Sequence, residues 1–288
     1  MTKRSRLDAE LVRRGLARSR EHATGLIAAG RVRVGAGTGA STGGGKPKAA
    51  GGAIGTVKPA TQVDAGTAIT VMKPADGQES GPEYASRGGH KLAGALASFA
   101  GLTVRGRRCL DAGASTGGFT DVLLRAGAAH VTAVDVGYGL LAWRLRTDPR
   151  VTVLERVNVR HLRPGQVGPP APDLVTADLS FISLTLVLPA LAAAAAPGAD
   201  FLLLVKPQFE AGKDRVGAGG VVRDPAVHAA AVTRVAECAG ELGIGAAGIT
   251  ASPLPGPAGN VEYFLWLRRG APPLDPAAVE AAMAKGPR

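Results

Sequence analysis

Short apolar runs alternate with longer stretches of helical spacing through most of the chain after residue 87. Seven of these runs are bounded by glycine, proline or charged residues, which is typical of buried strands. They span residues 108–111, 130–135, 151–155, 174–177, 201–205, about 244–252 and 262–267. Strands that alternate with helices predict a mainly parallel, doubly wound α/β sheet that binds its ligands at the carboxyl ends of the strands.

The first 34 residues have a different pattern. Leu7 and Leu11 recur at helical spacing and Gly15 offers a stop, while a second apolar face ends at Gly30. We therefore predict two short helices followed by a strand. This segment carries nine basic residues against three acidic ones, so its helices could present a positive face to phosphate groups.

Changes in composition divide the chain further. Residues 35–58 consist mainly of Gly, Ala, Ser, Thr and Lys, and they have too little apolar surface to offset the entropy cost of ordering, so they are predicted to form a mobile loop. Residues rich in Pro, Gly and acids then predict a linker. The predicted parts are a small α+β domain over 1–72 with the insertion at 35–58, a linker over 73–86, a larger α/β domain over 87–270 and a C-terminal tail, with at most a short helix, over 271–288.

Charge, cysteine and histidine content indicate which partners and which kinds of site the chain could have. The 288 residues include 34 Lys and Arg against 23 Asp and Glu, and the resulting net charge of +11 favours a polyanionic partner, with nucleic acid as the first candidate. The two cysteines, Cys109 and Cys238, lie far apart and predict neither a disulfide framework nor a zinc cluster. No two of the five histidines show metal-ligand spacing, so no metal site is predicted.

The stretch Cys109 to Thr120, CLDAGASTGGFT, combines an apolar strand, a glycine-rich turn and the start of a helix. Glycine allows positive φ values and the close approach of a ligand. A dinucleotide-binding turn has the spacing G-x-G-x-x-G, whereas this one reads D-x-G-x-S-x-G-G. Asp111 and Asp135, at the ends of two strands, suit a cofactor with an ammonium group and ribose hydroxyls and would repel a pyrophosphate. We therefore predict S-adenosylmethionine as the cofactor.

Four charged residues also lie at or beside the predicted strand ends. Asp178 and Lys206 follow the fourth and fifth strands. Lys91 precedes the first strand and Glu262 begins the last. Methylation of a ribose 2′-hydroxyl needs a proton acceptor, and a lysine kept partly neutral by burial or by a neighbouring cation can serve. We predict Lys206 as this base, with Asp178 orienting it and the other two fixing the array and the ribose; for each residue alone, a surface salt bridge is an equally good interpretation.

Two groups of motifs resemble known families. RLDAELVRRGLARSREHATGLIAAGRVRV resembles the S4-like RNA-binding domain, most specifically at RSREHA and GRVRV. SRGGHKL, LDAGASTGGFT, VDVGYGLLAWRL, ERVNVR, ADLSFISL, VKPQFEAG and GNVEYF resemble the TlyA family, in which an S4-like domain is fused to an FtsJ/RrmJ-like methyltransferase domain. Some members of that family are labelled haemolysins.

The TlyA resemblance implies a Rossmann-like class I methyltransferase with a mainly parallel seven-stranded sheet. It also implies 2′-O-methylation of cytidine in 16S ribosomal RNA, in 23S ribosomal RNA or in both. The expected partners are ribosomal RNA or ribosomal subunits, without a membrane, and a monomer is favoured. The family's Lys-Asp-Lys-Glu tetrad falls on Lys91, Asp178, Lys206 and Glu262.

The binding residues follow from the same motifs. For the cofactor we predict Asp111, Gly113, Ala114, Ser115, Gly117, Gly118, Phe119, Thr120, Asp135, Val136, Asn158 and Val159. For RNA we predict Arg4, Arg6, Arg14, Arg18, Arg20, Arg31 and Arg33. The basic segment 210–224 fits both a lid over the substrate and an ordinary connection, and Trp143 and Trp266 are predicted to be packing residues.

Three other functions fit parts of the sequence. A methyltransferase with a small-molecule or protein acceptor would leave the basic N-terminal segment without a role. A non-catalytic RNA-binding or ribosome-assembly factor would keep the methyl donor as a structural ligand. A secreted cytolysin fits least, because the N-terminus lacks the apolar core of a signal peptide and the apolar run 184–196 is too short to span a bilayer. We therefore predict a cytoplasmic protein.

Overall fold

The computed structural model describes residues 4–17, 20–28, 30–35, 57–72 and 83–286, without the side chains of residues 21, 22, 213 and 218. Most of the predicted loop at 35–58 and of the predicted linker at 73–86 lies outside the described residues. The chain divides into two compact units, Met1–Gly81 and Pro82–Arg288.

The first unit is a small α+β structure. Its described elements are β1 (Ser5–Arg6), α1 (Leu7–Arg13), α2 (Arg20–Ala28), β2 (Val32–Val34), β3 (Gln62–Val63) and β4 (Ile69–Val71). Strand β1 pairs with β3 and β2 pairs with β4, both antiparallel. Leu7 and Leu11 of α1 are fully buried against Leu26 of α2 and against Val32 and Val63 of the strands. The two predicted helices and the strand after them are confirmed.

The second unit alternates strands and helices as predicted. Its elements are α3 (Gly88–Ser98), β5 (Arg108–Ala112), α4 (Gly118–Arg125), β6 (His130–Asp135), α5 (Trp143–Arg146), β7 (Val151–Glu155), α6 (Pro164–Val167), β8 (Leu174–Ala177), α7 (Leu188–Ala194), β9 (Asp200–Val205), α8 (Pro207–Glu210), α9 (Pro225–Glu241), β10 (Ile244–Ala251), β11 (Tyr263–Arg269) and α10 (Pro276–Ala284). Short 3-10 turns lie at Val159–His161, Leu184–Leu186, Lys213–Arg215 and Ala218–Gly220.

The seven strands form one sheet in the order β10-β11-β9-β8-β5-β6-β7. Strands β5 to β9 are parallel, and β11 runs antiparallel to both β9 and β10. The chain order reverses beside β5, because β6 and β7 continue on one side of it and β8 and β9 on the other. Such a switch point opens a crevice at the carboxyl edge where ligands bind. The prediction of a mainly parallel, Rossmann-like seven-stranded sheet is confirmed.

Alternate side chains of the sheet enter two separate cores. Leu203 of β9 packs into the core that contains α7, α9 and α10, whereas Leu202 and Leu204 pack on the opposite face with α3 and α4. Both faces of the central strands are therefore covered, which explains why their sequences are continuous apolar runs instead of alternating ones.

The segment after residue 270 belongs to this fold and is more than a tail. Helix α10 is present, and its Val279 and Ala282 are buried in the core that also holds α9. At Gly245 of β10, an added Cβ would lie only 1.9 Å from the carbonyl oxygen of Ala271, so the segment that leads into α10 lies directly against the strand. A sequence rich in Pro and Ala concealed this packing because alanine carries little hydropathy signal.

Within the described ranges, no helix combines the length and the apolar character needed to cross a bilayer.

Candidate active site

A cavity of about 450 Å³ lies at the carboxyl edge of the second unit's sheet. Its wall is formed by the segments that follow β5, β6, β7 and β8, as expected at the switch point. Six of the twelve residues predicted to bind the cofactor line it, namely Gly113, Ser115, Asp135, Val136, Asn158 and Val159. Asp178 also lines the cavity, together with the apolar side chains of Leu140, Val157, Leu179, Phe181, Ile182 and Val187.

Asp111 does not line this cavity. Its carboxylate is fully buried inside the sheet and accepts hydrogen bonds from the hydroxyls of Thr120, at 2.6 Å, and of Thr176, at 3.3 Å. Burial raises the pKa of Asp111 to about 7, with the nearby Asp178 adding to the rise and the Thr120 hydrogen bond opposing it. In this position Asp111 holds the first turn of α4 against β5, and its contact with a cofactor stays a prediction.

The raised pKa of Asp111 predicts how the free energy of unfolding depends on pH. The folded protein keeps the Asp111 proton up to about pH 7, whereas the unfolded chain loses it near 3.8. The folded state therefore binds more protons between these values, and its stability should fall as pH rises through that window. Asp111→Asn should remove this dependence, so that the stability of the variant relative to wild type improves by on the order of 4 kcal/mol between pH 4 and pH 8 in chemical denaturation.

Asp148→Asn is the control for this experiment. Asp148 pairs with Arg150, and the hydrogen bonds from Arg150 lower the pKa of Asp148 in the folded state. This shift is opposite in direction to that of Asp111. The Asp148→Asn variant should not gain relative stability between pH 4 and pH 8. A flat difference between wild type and Asp111→Asn over the same range would contradict the buried protonated state.

The glycines of the turn are required by close protein contacts. A Cβ on Gly113, which has φ of +83°, would lie 2.5 Å from the carbonyl oxygen of Asp178. At Gly117, with φ of +97°, it would lie 2.3 Å from Leu145, and at Gly118 it would lie 2.3 Å from Ser86. These glycines let the turn pack against its neighbours and so bring Asp178 next to the cavity. Ala114 and Phe119, the remaining predicted cofactor contacts, are buried in the core on this side of the sheet.

Asp135 anchors the turn from the next strand. Its two carboxylate oxygens accept hydrogen bonds from the backbone N–H groups of Ser115, at 2.8 Å, and Gly137, at 2.7 Å. Asn158 has a similar local role, since its side-chain oxygen accepts from the N–H of Arg160 at 3.0 Å. Each acceptor oxygen retains a further lone pair, so both side chains can still receive ligand hydroxyl or amino groups.

The four charged residues of the predicted tetrad form two ion pairs. Lys206 contacts Asp178, with Nζ 2.6 Å from Oδ1. Lys91 contacts Glu262, with Nζ 2.6 Å from Oε2, and this second pair is almost completely buried. The other oxygen of Glu262, Oε1, is buried and has no hydrogen-bond partner among the described residues.

Helix α3 brings the two ion pairs together. A Cβ on Gly88, its first residue, would lie 3.7 Å from Oδ2 of Asp178, and Lys91 is three positions further along the same helix. The reversed direction of β11 also places its start at the carboxyl edge of the parallel strands, next to Val205 at the end of β9. Glu262 and Lys206 therefore stand at the ends of adjacent strands. The catalytic role of this tetrad stays a prediction.

Sequence analysis missed two polar residues near the site, Ser180, which contacts Lys206, and Glu210, which does not. Ser180 accepts a hydrogen bond from Nζ of Lys206 at 3.0 Å. Glu210 accepts from the Ser183 hydroxyl at 2.5 Å and from the Leu184 N–H at 2.8 Å, which joins α8 to the segment after β8. Burial raises the pKa of Glu210. A polar residue two positions after an acid at a strand end was the available signal for Ser180, while nothing local distinguished Glu210.

A second, more open groove of about 790 Å³ adjoins the cavity. The two share Phe181 and Ile182 in their walls. Phe181 is 91% exposed and packs against Phe209 with the ring centroids 5.2 Å apart. The Phe209 ring lies 5.9 Å from Nζ of Lys206, and Asp178 and Ser180, which contact Nζ, line the cavity. Lys206 therefore lies behind the walls of both.

The end of the 210–224 segment is held by Asn260, before β11, and by His228 of α9. Asn260 accepts a hydrogen bond from the N–H of Val222 and donates one to the carbonyl of Gly220, at 2.9 and 2.8 Å. The Nε2–H of His228 donates to the carbonyl of Val222, and the Tyr263 hydroxyl donates to its Nδ1, both at 2.9 Å. Any closing movement of a lid would have to pivot before Gly220, and the lid itself stays a prediction.

The two tryptophans differ in solvent exposure. Trp266 is buried and its indole N–H donates to Asp200 at 2.8 Å, so its packing role is confirmed. The same expectation for Trp143 is wrong, because this side chain is 75% exposed. Trp143 begins the four-residue helix α5, in which Leu145 takes the buried position.

The predicted RNA-binding arginines have different surroundings in the first unit. Arg4 and Arg33 are exposed, and Arg6 and Arg20 bind Asp8. Arg31 donates to the carbonyl of Met72 at 3.0 Å. Arg14 is largely engaged in holding the turn at 64–67, and Arg18 lies outside the described residues. Their contact with RNA stays a prediction.

Two family models match the chain. The model of FtsJ-like methyltransferases matches residues 84–269, and the model of the S4 domain matches residues 5–35. A relative from Mycobacterium tuberculosis, named 16S/23S rRNA (cytidine-2′-O)-methyltransferase TlyA, is 59% identical over 268 residues, which are 93% of this chain and 91% of the relative. The chain belongs to the TlyA family.

A further relative and a solved structure are also similar to this chain. A relative from Campylobacter jejuni, named 23S rRNA (cytidine-2′-O)-methyltransferase TlyA, is 36% identical over 64% of this chain and 70% of the relative. A solved structure of a candidate hemolysin from Streptococcus thermophilus has a TM-score of 0.73 at 36% identity and covers 99% of this chain and 96% of its own. The TlyA resemblance of the sequence motifs is confirmed, and the chain is an enzyme with an S4 domain and an FtsJ-like methyltransferase domain.

Proposed function

We propose that this TlyA-family enzyme transfers a methyl group from S-adenosylmethionine to the ribose 2′-hydroxyl of a cytidine in 16S ribosomal RNA, 23S ribosomal RNA or both. The observation that carries the proposal is the buried Lys206. Its Nζ binds Asp178 at 2.6 Å and Ser180 at 3.0 Å, two residues of the cavity wall, and lies 5.9 Å from the ring of Phe209 in the groove wall. The name of the Mycobacterium tuberculosis relative supports the acceptor. An enzyme with this substrate works in the cytoplasm, with ribosomal RNA or ribosomal subunits as its partner.

The residues around the cavity fit S-adenosylmethionine. A volume of about 450 Å³ is in the range of small-molecule sites. The carboxylates of Asp135 and Asp178 suit a ligand that carries ribose hydroxyls and positive charge, and the apolar wall at Val136 and Val159 suits an adenine ring. When bound, the cofactor supplies an electrophilic methyl group on a positively charged sulfur.

Lys206 is suited to remove the proton of the acceptor hydroxyl. Transfer of the donor's methyl group to the ribose oxygen would break the methyl–sulfur bond, whose electron pair stays on sulfur. The proton of the ribose hydroxyl would pass to Nζ of Lys206, which has to be unprotonated for this step. The ammonium group that results is stabilised by Asp178, and Ser180 accepts a further hydrogen bond from it. These two contacts also fix the position of Nζ, which reduces the entropy cost of bringing it into line with the acceptor hydroxyl.

The second ion pair supports this arrangement. Oε1 of Glu262 is an acceptor without a partner among the described residues, while its Oε2 is held by Lys91. A buried acceptor of this kind costs free energy unless a donor satisfies it. We assign the acceptor nucleotide to the open groove, where Arg160 provides positive charge beside Phe181 and Phe209.

The proposal is tested with labelled methyl donor and separated ribosomal subunits. We expect label in 2′-O-methylcytidine after digestion of the RNA, at a position that mass spectrometry can map. RNA that carries 2′-deoxycytidine at the mapped position should accept no label. Label on a base, on protein or on a small acceptor without RNA, or the absence of any transfer to either subunit, would contradict the proposal.

A further inference from the structure

Asp8, in the first unit, is a buried acid that holds two arginines. Its side chain is 5% exposed. One oxygen, Oδ1, accepts from Nε of Arg6 at 3.1 Å and from the N–H of Ala9 at 2.8 Å. The other, Oδ2, accepts from Nη2 of Arg6 at 3.0 Å and from Nη2 of Arg20 at 2.9 Å. All four hydrogen bonds stabilise the charged carboxylate, and the bonds from Arg6 make the largest contribution to a pKa well below the ordinary value.

The two guanidinium groups lie side by side because they share one oxygen. Two like charges at this distance repel each other, and the carboxylate between them offsets that repulsion. Both arginines remain accessible, with side chains 46% and 61% exposed. A guanidinium group has five N–H donors, of which Arg6 gives two and Arg20 one to Asp8. The remaining donors have no partner among the described residues, and with a net charge of one positive unit they can bind an anion.

A neighbouring cluster shows what an occupied arginine looks like. Glu10 also binds two arginines, and one of them, Arg14, donates to the carbonyls of Asp64, Ala65 and Thr67 at 3.2, 3.0 and 2.6 Å. Its side chain is only 21% exposed. Arg14 thus braces a turn of its own unit and has few donors left, in contrast to the pair held by Asp8.

We propose that Asp8 is a positioning residue that builds a phosphate-binding site from Arg6 and Arg20. The ligand is a phosphate group of the RNA backbone, which can take hydrogen bonds from two adjacent guanidinium groups at once. Holding both side chains in place before binding removes part of the entropy cost of ordering them on RNA. This inference rests on the proposed action on RNA.

Asp8→Asn separates positioning from simple charge. The substitution makes the unit more positive by one unit, so long-range electrostatics alone predicts tighter binding to RNA. Loss of the carboxylate leaves the two guanidinium groups to repel each other and move apart, so positioning predicts weaker binding. The two explanations therefore give opposite signs.

The experiment measures binding of the full chain to a fluorescently labelled RNA hairpin by anisotropy, over a series of salt concentrations. We expect Asp8→Asn to weaken binding about tenfold and to lower the slope of log affinity against log salt by about 1, as expected for one lost phosphate contact. Glu280→Gln, which removes one negative charge from an exposed site on α10, should leave binding unchanged or slightly tighter.

Further variants keep the test independent of folding. Circular dichroism first establishes that each chain is folded. In an Arg6→Ala/Arg20→Ala background, the effect of Asp8→Asn should disappear, which a general loss of structure would not produce. If Asp8→Asn does not fold, Arg20→Lys is tested in its place. It keeps the positive charge but loses the planar guanidinium group, so it should weaken RNA binding.

Each outcome decides a different question. Unchanged or tighter RNA binding by folded Asp8→Asn, or the same loss in the double-alanine background, would overturn the positioning role while leaving the proposed enzyme activity intact. Failure of the wild-type chain to bind RNA would overturn the RNA-binding role of this unit and the inference with it.

Discussion

Replacing Lys206 with methionine is expected to lower kcat for methyl transfer about 1000-fold, because a general base typically contributes between about 100-fold and 10,000-fold. Methionine has a similar length and fills similar space, so little cavity is created. The residues that line the cofactor cavity are unchanged, and the affinity for S-adenosylmethionine in calorimetry should stay within about threefold of wild type. Single-turnover transfer to the RNA acceptor measures the chemical step directly.

Lys206→Arg distinguishes a base from a fixed positive charge. Arginine keeps a cation beside Asp178 but cannot lose its proton in a protein, so it should be as inactive as methionine. Lys285→Met, at an exposed position of the C-terminal segment, is the matched control and should retain full activity. Substantial turnover by Lys206→Arg would show that the lysine acts only through its charge.

Replacing Lys91 with methionine is expected to destabilise the enzyme by about 4 kcal/mol, since removing one partner of a buried ion pair leaves an uncompensated charge. Glu262 is fully buried and has no other partner among the described residues. For a unit of this size, that loss should lower Tm by on the order of 10 °C. Thermal and chemical denaturation measure the effect, and methyl transfer should be lost in the same variant.

The double variant Lys91→Met/Glu262→Leu separates stability from chemistry. Replacing both partners with apolar groups should restore most of the lost stability, whereas activity should stay absent because both charges are gone. Arg150→Met breaks the more exposed pair with Asp148 and should cost less than about 1 kcal/mol. Wild-type activity in the double variant would exclude the pair from catalysis, and wild-type stability of Lys91→Met would contradict the expected cost of breaking the buried pair.

The strands of the larger unit could be predicted closely from the sequence. Their ends match the predicted ones to within one residue, except for the end of β11, which extends two residues further to Arg269. This success has a physical reason. The central strands are covered on both faces, so each is a continuous apolar run, and β6 and β9 end where Asp135 and Lys206 reach the edge of the sheet.

The direction in which side chains point was harder to predict. Asp111 ends an apolar run just as Asp135 does, yet its carboxylate is enclosed between β5, α4 and β8 while that of Asp135 borders the cavity. Gly117 and Gly118 pack closely against Leu145 and Ser86, and their contact with the cofactor stays a prediction. A glycine-rich motif indicates that another atom approaches the backbone closely, but it does not show whether that atom belongs to a ligand or to the protein itself.

Contacts between distant segments account for the remaining differences. Glu210 acts on the segment after β8 from 26 positions away along the chain. The exposure of Trp143 depends on which residue of a single helical turn faces the core, and four residues carry no usable periodicity. The packing of α10 buries Val279 and Ala282, and Gly245 leaves space for Ala271 and Pro272, which precede the helix.

The antiparallel course of β11 has a consequence for biosynthesis. Lys91 and Glu262 are 171 positions apart, and they meet only after the final strand has inserted between β9 and β10. A nascent chain that has already folded its parallel strands and its cofactor cavity would still lack one of its four charged groups. The proposed tetrad is therefore complete only once β11, the last strand among the described residues, has been synthesised and inserted.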